Sequence, residues 1–346
     1  MTVRKSFSIF VIIVIVSVTG ILSLSIDAST LSMLKNADVK MLLYAVLLVI
    51  AGWLLDALKF MTLARAADEK LSFKSTLAVV WINYFGCAIT PMQSGGGPFQ
   101  IYLLYKNGVS VGKSVAITLV RTIQILLLLA LVVPFSLIAD PEVLGQHTSL
   151  RIYVCYIVVF ASFCAFLLTV SVTRPQWVKH WVNAFLVWGR KLGLLKSKYL
   201  LRAVRWVGKE IDAYNSNIKL FTSTGKWYLV LSLVLALVHL IVYMSVMPCL
   251  IKAAGFEVSY LRCLLAESLL LFMLYFVPTP GASGAAEGGA AAVFGLFVPW
   301  NVAGVMAVAW RLITEYSGIV IGTVIVVKML GWGGADKVMR EKNDED

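Results

Sequence analysis

The sequence predicts an all-α polytopic membrane protein with six spanning helices plus two broken or re-entrant helical hairpins arranged as an inverted repeat. Three observations lead there. Of the 346 residues, 60% are hydrophobic and only 14% charged, with a mean hydropathy of +0.87, a balance outside the range of soluble domains. Apolar segments long enough to cross a bilayer recur along the chain. Two further apolar regions are each interrupted in the middle by proline and glycine.

The first apolar run, residues 7–26, follows Arg4 and Lys5 and has the outline of a secretory signal. Its length is enough to span, and Ile26-Asp27-Ala28 makes a poor cleavage site, so an uncleaved first helix is expected. Spanning runs follow at 41–63, 114–138, 152–172, 227–250 and 301–327. The broken regions are 75–105 and 260–298. The limb from Ser75 to Thr90 reaches only about 24 Å at ~1.5 Å per residue, which suits a hairpin returning to its own side. Residues 173–226 carry an apolar stripe through Trp177, Trp181, Phe185, Trp188, Leu192 and Leu195, with basic residues elsewhere. That pattern fits helices on the inner membrane surface, or a helical hairpin packed on other helices. One transmembrane domain covers 1–330, and 331–346 form a charged cytoplasmic tail.

With the N-terminus inside, 22 of the 30 Lys and Arg fall on the inner side and five outside (Lys35, Lys40, Arg151, Lys252, Arg262). Three lie within helices: Lys59, Arg121 and Arg311. The bias sets both termini in the cytoplasm; hairpins of two full spans would sort the charges equally. The net charge of +12 is accounted for by topology and by contact with anionic lipid head groups, so nucleic acid is not expected as a partner.

"LSFKSTLAVVWINYFGCAITPMQSGGGP", from Leu71, and "VSYLRCLLAESLLLFMLYFVPTPGASGAAE", from Val258, run parallel. Each has a Ser-aromatic start, an apolar limb, Thr-Pro, a small-residue loop and then a helix with one arginine. Pro91 to Arg121 is 30 residues and Pro280 to Arg311 is 31. This is the mark of a duplication, about 71–125 and about 258–315, and the three crossings between the copies invert one relative to the other. Irregular backbone at membrane depth is tolerated where protein or a water-filled cavity satisfies it, the arrangement transporters use. The plainer account is that Pro and Gly only let helices pack closely, as Gly284-x-x-x-Gly288 could.

Charge inside a span is expensive and needs a partner or a purpose. The candidate substrate-binding residues are Arg121 and Arg311, with Glu315 four residues beyond Arg311, and the loop residues Ser94, Gly95, Gly96, Gly97, Gly281, Ser283 and Gly284. Gly-rich backbone N–H groups form anion concavities, and guanidinium binds phosphate bidentately. The alternative is an Arg311–Glu315 structural pair and an Arg121 anchored at the interface. Glu287, in "GASGAAEGG", would meet a cationic head group, an ion or a proton, and Asn83 and Gln93 offer neutral hydrogen bonds. Asp56 and Lys59, one turn apart, read as a pair, and Glu267 as a coupling or structural carboxylate. On this reading Arg311→Ala and Glu287→Gln abolish transport and spare folding.

The five cysteines are scattered in apolar surroundings and read as small buried hydrophobes. The three histidines are too dispersed for a metal site, and no cofactor is expected. "GVSVGKS" has one residue too few for a P-loop, and "GASGA" lacks the last glycine of a nucleophile elbow.

The paired patterns "TP...GGGP...YLLYKNG...S.A....R" and "PTPGASGAAE" with Arg311 resemble the transmembrane flippase-like domain of the lysylphosphatidylglycerol synthase/flippase family, over about residues 7–330. The first loop, "PMQSGGGP", departs from the Pro-Gly that the family commonly carries there. The resemblance implies a lipid translocator moving a phospholipid, such as aminoacylated phosphatidylglycerol, or another lipid-linked head group between leaflets of a bacterial or archaeal cytoplasmic membrane. It also implies a separate lipid-modifying synthase as a partner, since the soluble aminoacyl-transferase domain of full-length members is not expected here. A homo-oligomer is compatible with it. Two other classes stay open: an intramembrane lipid-phosphate transferase or hydrolase, and a non-transporting scaffold for envelope-lipid enzymes.

Overall fold

A computed structural model describes residues 2–25, 35–139, 159 and 225–344. Among these the regular structure is helical throughout: α1 (Val3–Ser25), α2 (Val39–Ala66), α3 (Phe73–Ala88), α4 (Gly96–Lys106), α5 (Val111–Ala139), α6 (Lys226–Met244), α7 (Val246–Ala253), α8 (Tyr260–Leu274), α9 (Ala285–Phe294), α10 (Trp300–Arg311), a π-helical turn (Leu312–Tyr316) and α11 (Ser317–Asp344). Five stretches are long and apolar enough to cross a membrane: Val3–Ser25, Val39–Ala66, Val111–Ser136, Lys226–Ala253 and Trp300–Ala335. They match five of the six expected spans. The sixth, 152–172, and the amphipathic segment 173–226 up to residue 224 lie outside the described residues.

The helix starts have local causes. The Asp38 side chain accepts from the Lys40 N–H at 2.8 Å and caps α2, and Ser72 accepts from the Ser75 N–H at 3.2 Å and caps α3. The serine of each Ser-aromatic pair is the N-cap of its limb: Ser72 for α3 and Ser259 for α8. These limbs have 16 and 15 residues, and α4 and α9, which follow the breaks, have 11 and 10. At ~1.5 Å per residue none reaches across a hydrocarbon core of about 30 Å.

The two breaks share one construction. From Pro91 the chain makes a turn and re-enters helix at Gly96; from Pro280 it does the same and re-enters at Ala285. In the first turn the Ser94 N–H and hydroxyl both donate to the Pro91 carbonyl, at 3.2 and 2.9 Å. In the second, Ser283 does the same to Pro280, at 3.1 and 2.7 Å. Met92, Gln93 and Ala282 have φ near 53°, as does Gly281 at 62° and Gly284 at 85°. Glycine is required at 281 on two counts, since a Cβ there would also meet the Phe10 ring at 2.7 Å.

The turns meet each other. Pro91 and Pro280 form an antiparallel bridge. The Met92 N–H donates to the Val277 carbonyl at 3.1 Å, and the Gly281 N–H to those of Cys87 and Thr90 at 3.1 and 3.3 Å. Around this junction the core divides. Phe60, Leu63, Val79, Ile82, Phe85, Phe99 and Leu104 form one cluster with α11, and Met247, Leu250, Leu270, Phe294, Met306 and Trp310 form another. Helix α2 contributes to both, Phe60 and Leu63 to the first and Ala45 and Val49 to the second. In the second, Ala286, Ala290 and Ala291 of α9 are fully buried, the small residues that let helices approach closely without a hydrophobic drive between them.

The C-terminal stretch read as a charged cytoplasmic tail is helical from Trp332 to Asp344, beyond a kink at Gly331 (φ 62°). It folds back on the bundle, with Trp332 against the rings of Phe7 and Phe85 and with Ala335 and Val338 buried. Within α11, Gly318 lies under the Tyr84 ring and Gly322 against the Trp81 carbonyl, where an added Cβ would stand 2.8 and 2.1 Å away. Overpacking of this kind costs ~1–3 kcal/mol. Gly322→Ala is expected to lower the melting temperature of the detergent-solubilised protein by several degrees, and an unchanged melting curve would mean that α3 and α11 do not touch as described.

Candidate functional site

A cavity of about 1320 Å³ opens between the two halves of the molecule. Its polar lining comes from Asp56 and Lys59 of α2, Asn83 and Tyr84 of α3, Gln93 and Ser94 of the first turn, Gln100 of α4, Arg121 of α5, His239 and Tyr243 of α6, and Arg311 and Glu315 after the second break. Its apolar lining comes from Met92, from Ile101 of α4, from Val115, Leu119, Ile125, Leu126 and Leu129 of α5, from Leu240 of α6, and from Leu271, Leu274 and Phe276 in and after α8.

The charges are organised in two triads. Asp56 holds Lys59 at 2.7 Å, one turn along α2. The same carboxylate takes both arms of Arg121, Nη2 at 2.6 Å and Nε at 3.3 Å. The Arg121 guanidinium rests over the Phe60 ring at 5.0 Å, an arrangement that recovers cation–π energy where water is scarce. The expected Asp56–Lys59 pair is present, therefore, and Arg121 joins it.

The second triad centres on Arg311. Its Nε donates to Glu287 at 3.3 Å and its Nη2 to the Gly281 carbonyl at 2.8 Å. Glu315 stands 3.9 Å away. Glu287 is not in a loop: it lies in the first turn of α9, fully buried, and its other oxygen accepts from the Gly284 N–H. The Tyr316 hydroxyl donates to Glu287 and the Tyr243 hydroxyl to Glu315 at 3.0 Å. The π-helical turn directly after Arg311 carries Glu315 and ends on Tyr316; such single π turns recur at functional sites.

Six of the loop amides are used within the protein. Met92 and Gly281 donate across the junction, Ser94 and Ser283 within their own turns, Gly95 to the Thr90 hydroxyl, and Gly284 to Glu287. Of the residues singled out from sequence, Asp56, Lys59, Asn83, Gln93, Ser94, Gly97, Arg121, Arg311 and Glu315 line the cavity. Gly95, Gly96, Gly281, Ser283, Gly284 and Glu287 stand behind its wall. Gly96 packs against Asn83 and Cys87 so tightly that a Cβ would lie 2.1 Å from the Asn83 carbonyl oxygen. Glu267 is buried apart, accepting from the Trp310 indole N–H at 3.0 Å.

Sequence reasoning passed over His239, Tyr243, Tyr275, Gln100 and Thr118, all of which line the cavity. His239 is set by a contact of Nδ1 with the Gly52 carbonyl at 2.9 Å. The missed signal was polar residues placed singly on apolar helices, Thr118 one turn before Arg121 and Gln100 one turn after Gly97. Among the described residues there is no group of three or more His, Cys, Asp or Glu that could hold a metal.

Arg311 is only 3% exposed at its side chain and Glu287 not at all. Removing one member of such a pair strands the other as an uncompensated buried charge, which costs ~3–5 kcal/mol. Arg311→Ala is therefore expected to lower thermal stability strongly, against the sequence expectation that it spares folding. Adding Glu287→Gln should restore part of the loss in melting experiments. Strictly additive losses would mean that the two residues are uncoupled.

The sequence matches the family described as the lysylphosphatidylglycerol synthase TM region over residues 7–322. A protein of Archaeoglobus fulgidus named only as a UPF0104 membrane protein is 29% identical over 331 residues, covering 91% of this chain and 94% of its own length. On the extent of the first match, the chain belongs to the lysylphosphatidylglycerol synthase transmembrane-region family.

Proposed function

We propose that this protein is a lipid translocator that carries a phospholipid, or another lipid-linked phosphate head group, between the leaflets of the membrane. The observation that carries the reading is the cavity, whose lining combines charged groups with aliphatic side chains, set among helices long enough to cross a bilayer. A lipid needs both, because its head group must leave water while its acyl chains stay in hydrocarbon. The matching turns at Pro91 and Pro280 and their mutual bridge support two inverted re-entrant units meeting within the membrane, the transporter arrangement. The bias of basic residues supports cytoplasmic termini.

In this reading Arg121 holds the phosphate. Its triad has two cations against one carboxylate, and at 15% side-chain exposure it is the most accessible of the three. Guanidinium also offers the fork geometry that phosphate oxygens accept. Arg311, held by Glu287 and Gly281, braces the second turn. No covalent step is needed, so the protein would act without chemistry on the lipid. The archaeal or bacterial cytoplasmic membrane and a separate lipid-modifying synthase as partner follow from the family resemblance.

The test is head-group movement in proteoliposomes, read as the fraction of labelled phospholipid accessible from outside. The full chain is expected to equilibrate the label between leaflets, and Arg121→Ala, correctly folded, to slow it at least about tenfold, as loss of a charge-assisted contact of ~1.5–3 kcal/mol requires. Conversion of the lipid into a new product would identify a transferase or hydrolase instead. Absence of movement together with co-purification of a synthase would support the scaffold.

A further inference from the structure

Resting on the translocator reading, we infer that the cavity takes a zwitterionic head group, one phosphate and one ammonium, in a fixed orientation, with the phosphate at Arg121 and the ammonium at Glu315. The two triads carry opposite excess charge. Asp56 faces two cations, Lys59 and Arg121, leaving one positive charge over. Arg311 faces two carboxylates, Glu287 and Glu315, leaving one negative charge over.

Exposure locates each surplus. Arg121 and Glu315, at 15% and 25% side-chain exposure, are the most accessible members of their triads, and both line the cavity. Arg311 is shared between the two carboxylates: its Nε and Nη2 are committed to Glu287 and Gly281, and Nη1 forms only a long ion pair with Glu315, at 3.9 Å. Arg121 and Glu315 border the same cavity, together with Tyr84 and Tyr275. The Tyr243 and Trp310 rings, edge to face at 6.4 Å, border that space on the Glu315 side, and aromatic faces attract an ammonium.

A second observation points to a ligand independently of the charges. Gln100 is 1% exposed and Thr118 4%, both line the cavity, and neither Gln100 Oε1 nor Thr118 Oγ1 has a hydrogen-bond partner. Buried polar atoms without partners are costly, and a bound head group supplies what they lack. Thr118, one turn before Arg121 on α5, can donate to a phosphate oxygen, and the Gln100 carbonyl accepts from a head-group N–H or O–H.

The charge count separates this class from its neighbours. A glycerol head group brings an anion alone and leaves Glu315 uncompensated. A lysyl ester brings two ammoniums, one more than the surplus at Glu315 can hold. An ethanolamine head group matches both surpluses.

The measurement is equilibrium binding of short-chain lipids to the full chain in detergent, comparing phosphatidylethanolamine, phosphatidylglycerol and its lysyl ester. The ethanolamine lipid is expected to bind about tenfold or more tighter than either of the others, the difference that one charge-assisted contact makes. In Glu315→Gln its affinity should fall to that for the glycerol lipid. Equal affinity of the unmodified protein for the ethanolamine and glycerol lipids, or tightest binding of the lysyl ester, overturns the inference while leaving a lipid translocator standing. No binding of any of the three overturns both. The comparison within the unmodified protein decides the matter even where the variant fails to fold.

Discussion

Backbone that leaves helical geometry inside a bilayer has no water to bond with, so the breaks at Pro91 and Pro280 depend on each other. Each turn spends its own amides first, through Ser94 and Ser283, and gives the remainder to its counterpart, through Met92 and Gly281. Proline helps by bringing no N–H that would need a partner. The rest of the architecture follows from that junction. Four short helices adjoin it, and α2 contributes to the two largest hydrophobic clusters because it passes alongside each. The cavity lies where two half-helix systems cannot close over each other completely.

The two units share a plan but differ in electrostatics. Seven residues beyond Pro280 the chain has Glu287; seven beyond Pro91 it has Pro98. The second arginine therefore finds its carboxylate within its own unit and, though it borders the cavity, is almost fully buried. The first finds none there and pairs with Asp56, 65 residues earlier on α2. That loan keeps Arg121 at the cavity face, and Lys59 beside it prevents the single carboxylate from cancelling both cations. One differing acidic position thus leaves the two arginines in different surroundings, Arg311 held within its own unit and Arg121 held by α2.

The spans were legible because a bilayer demands long apolar runs, and the breaks because Pro91, Gly95 and Pro280 to Gly284 interrupt such runs at matched spacing. The Asp56–Lys59 pair was legible from its one-turn separation. What escaped was non-local or context-bound. Nothing in the spacing joins Arg121 to Asp56 or brings one turn onto the other. Glu287 reads as a loop residue amid small residues, yet the alanines around it form a helix once α10 covers them, and its carboxylate then caps that helix. The Gly-rich turns suggested free amides, whereas the bilayer requires those amides to be satisfied before any ligand arrives. The tail from Trp332 reads as charged by composition, and the packing of Trp332, Ala335, Val338 and Met339 on the first cluster after the turn at Gly331 was not legible in it.

The bridge between the turns also has a mechanical meaning. It consists of a handful of hydrogen bonds at the crossing of four short helices, close to the line about which the two units face each other. A joint of that kind resists separation far more than it resists rotation, since a small swing tilts each hydrogen bond while stretching none by much. For any rotation of one unit against the other, the junction is the fulcrum. The far ends of α3, α4, α8 and α9 sweep the largest arcs in such a rotation, and the groups beside Pro91 and Pro280 move least.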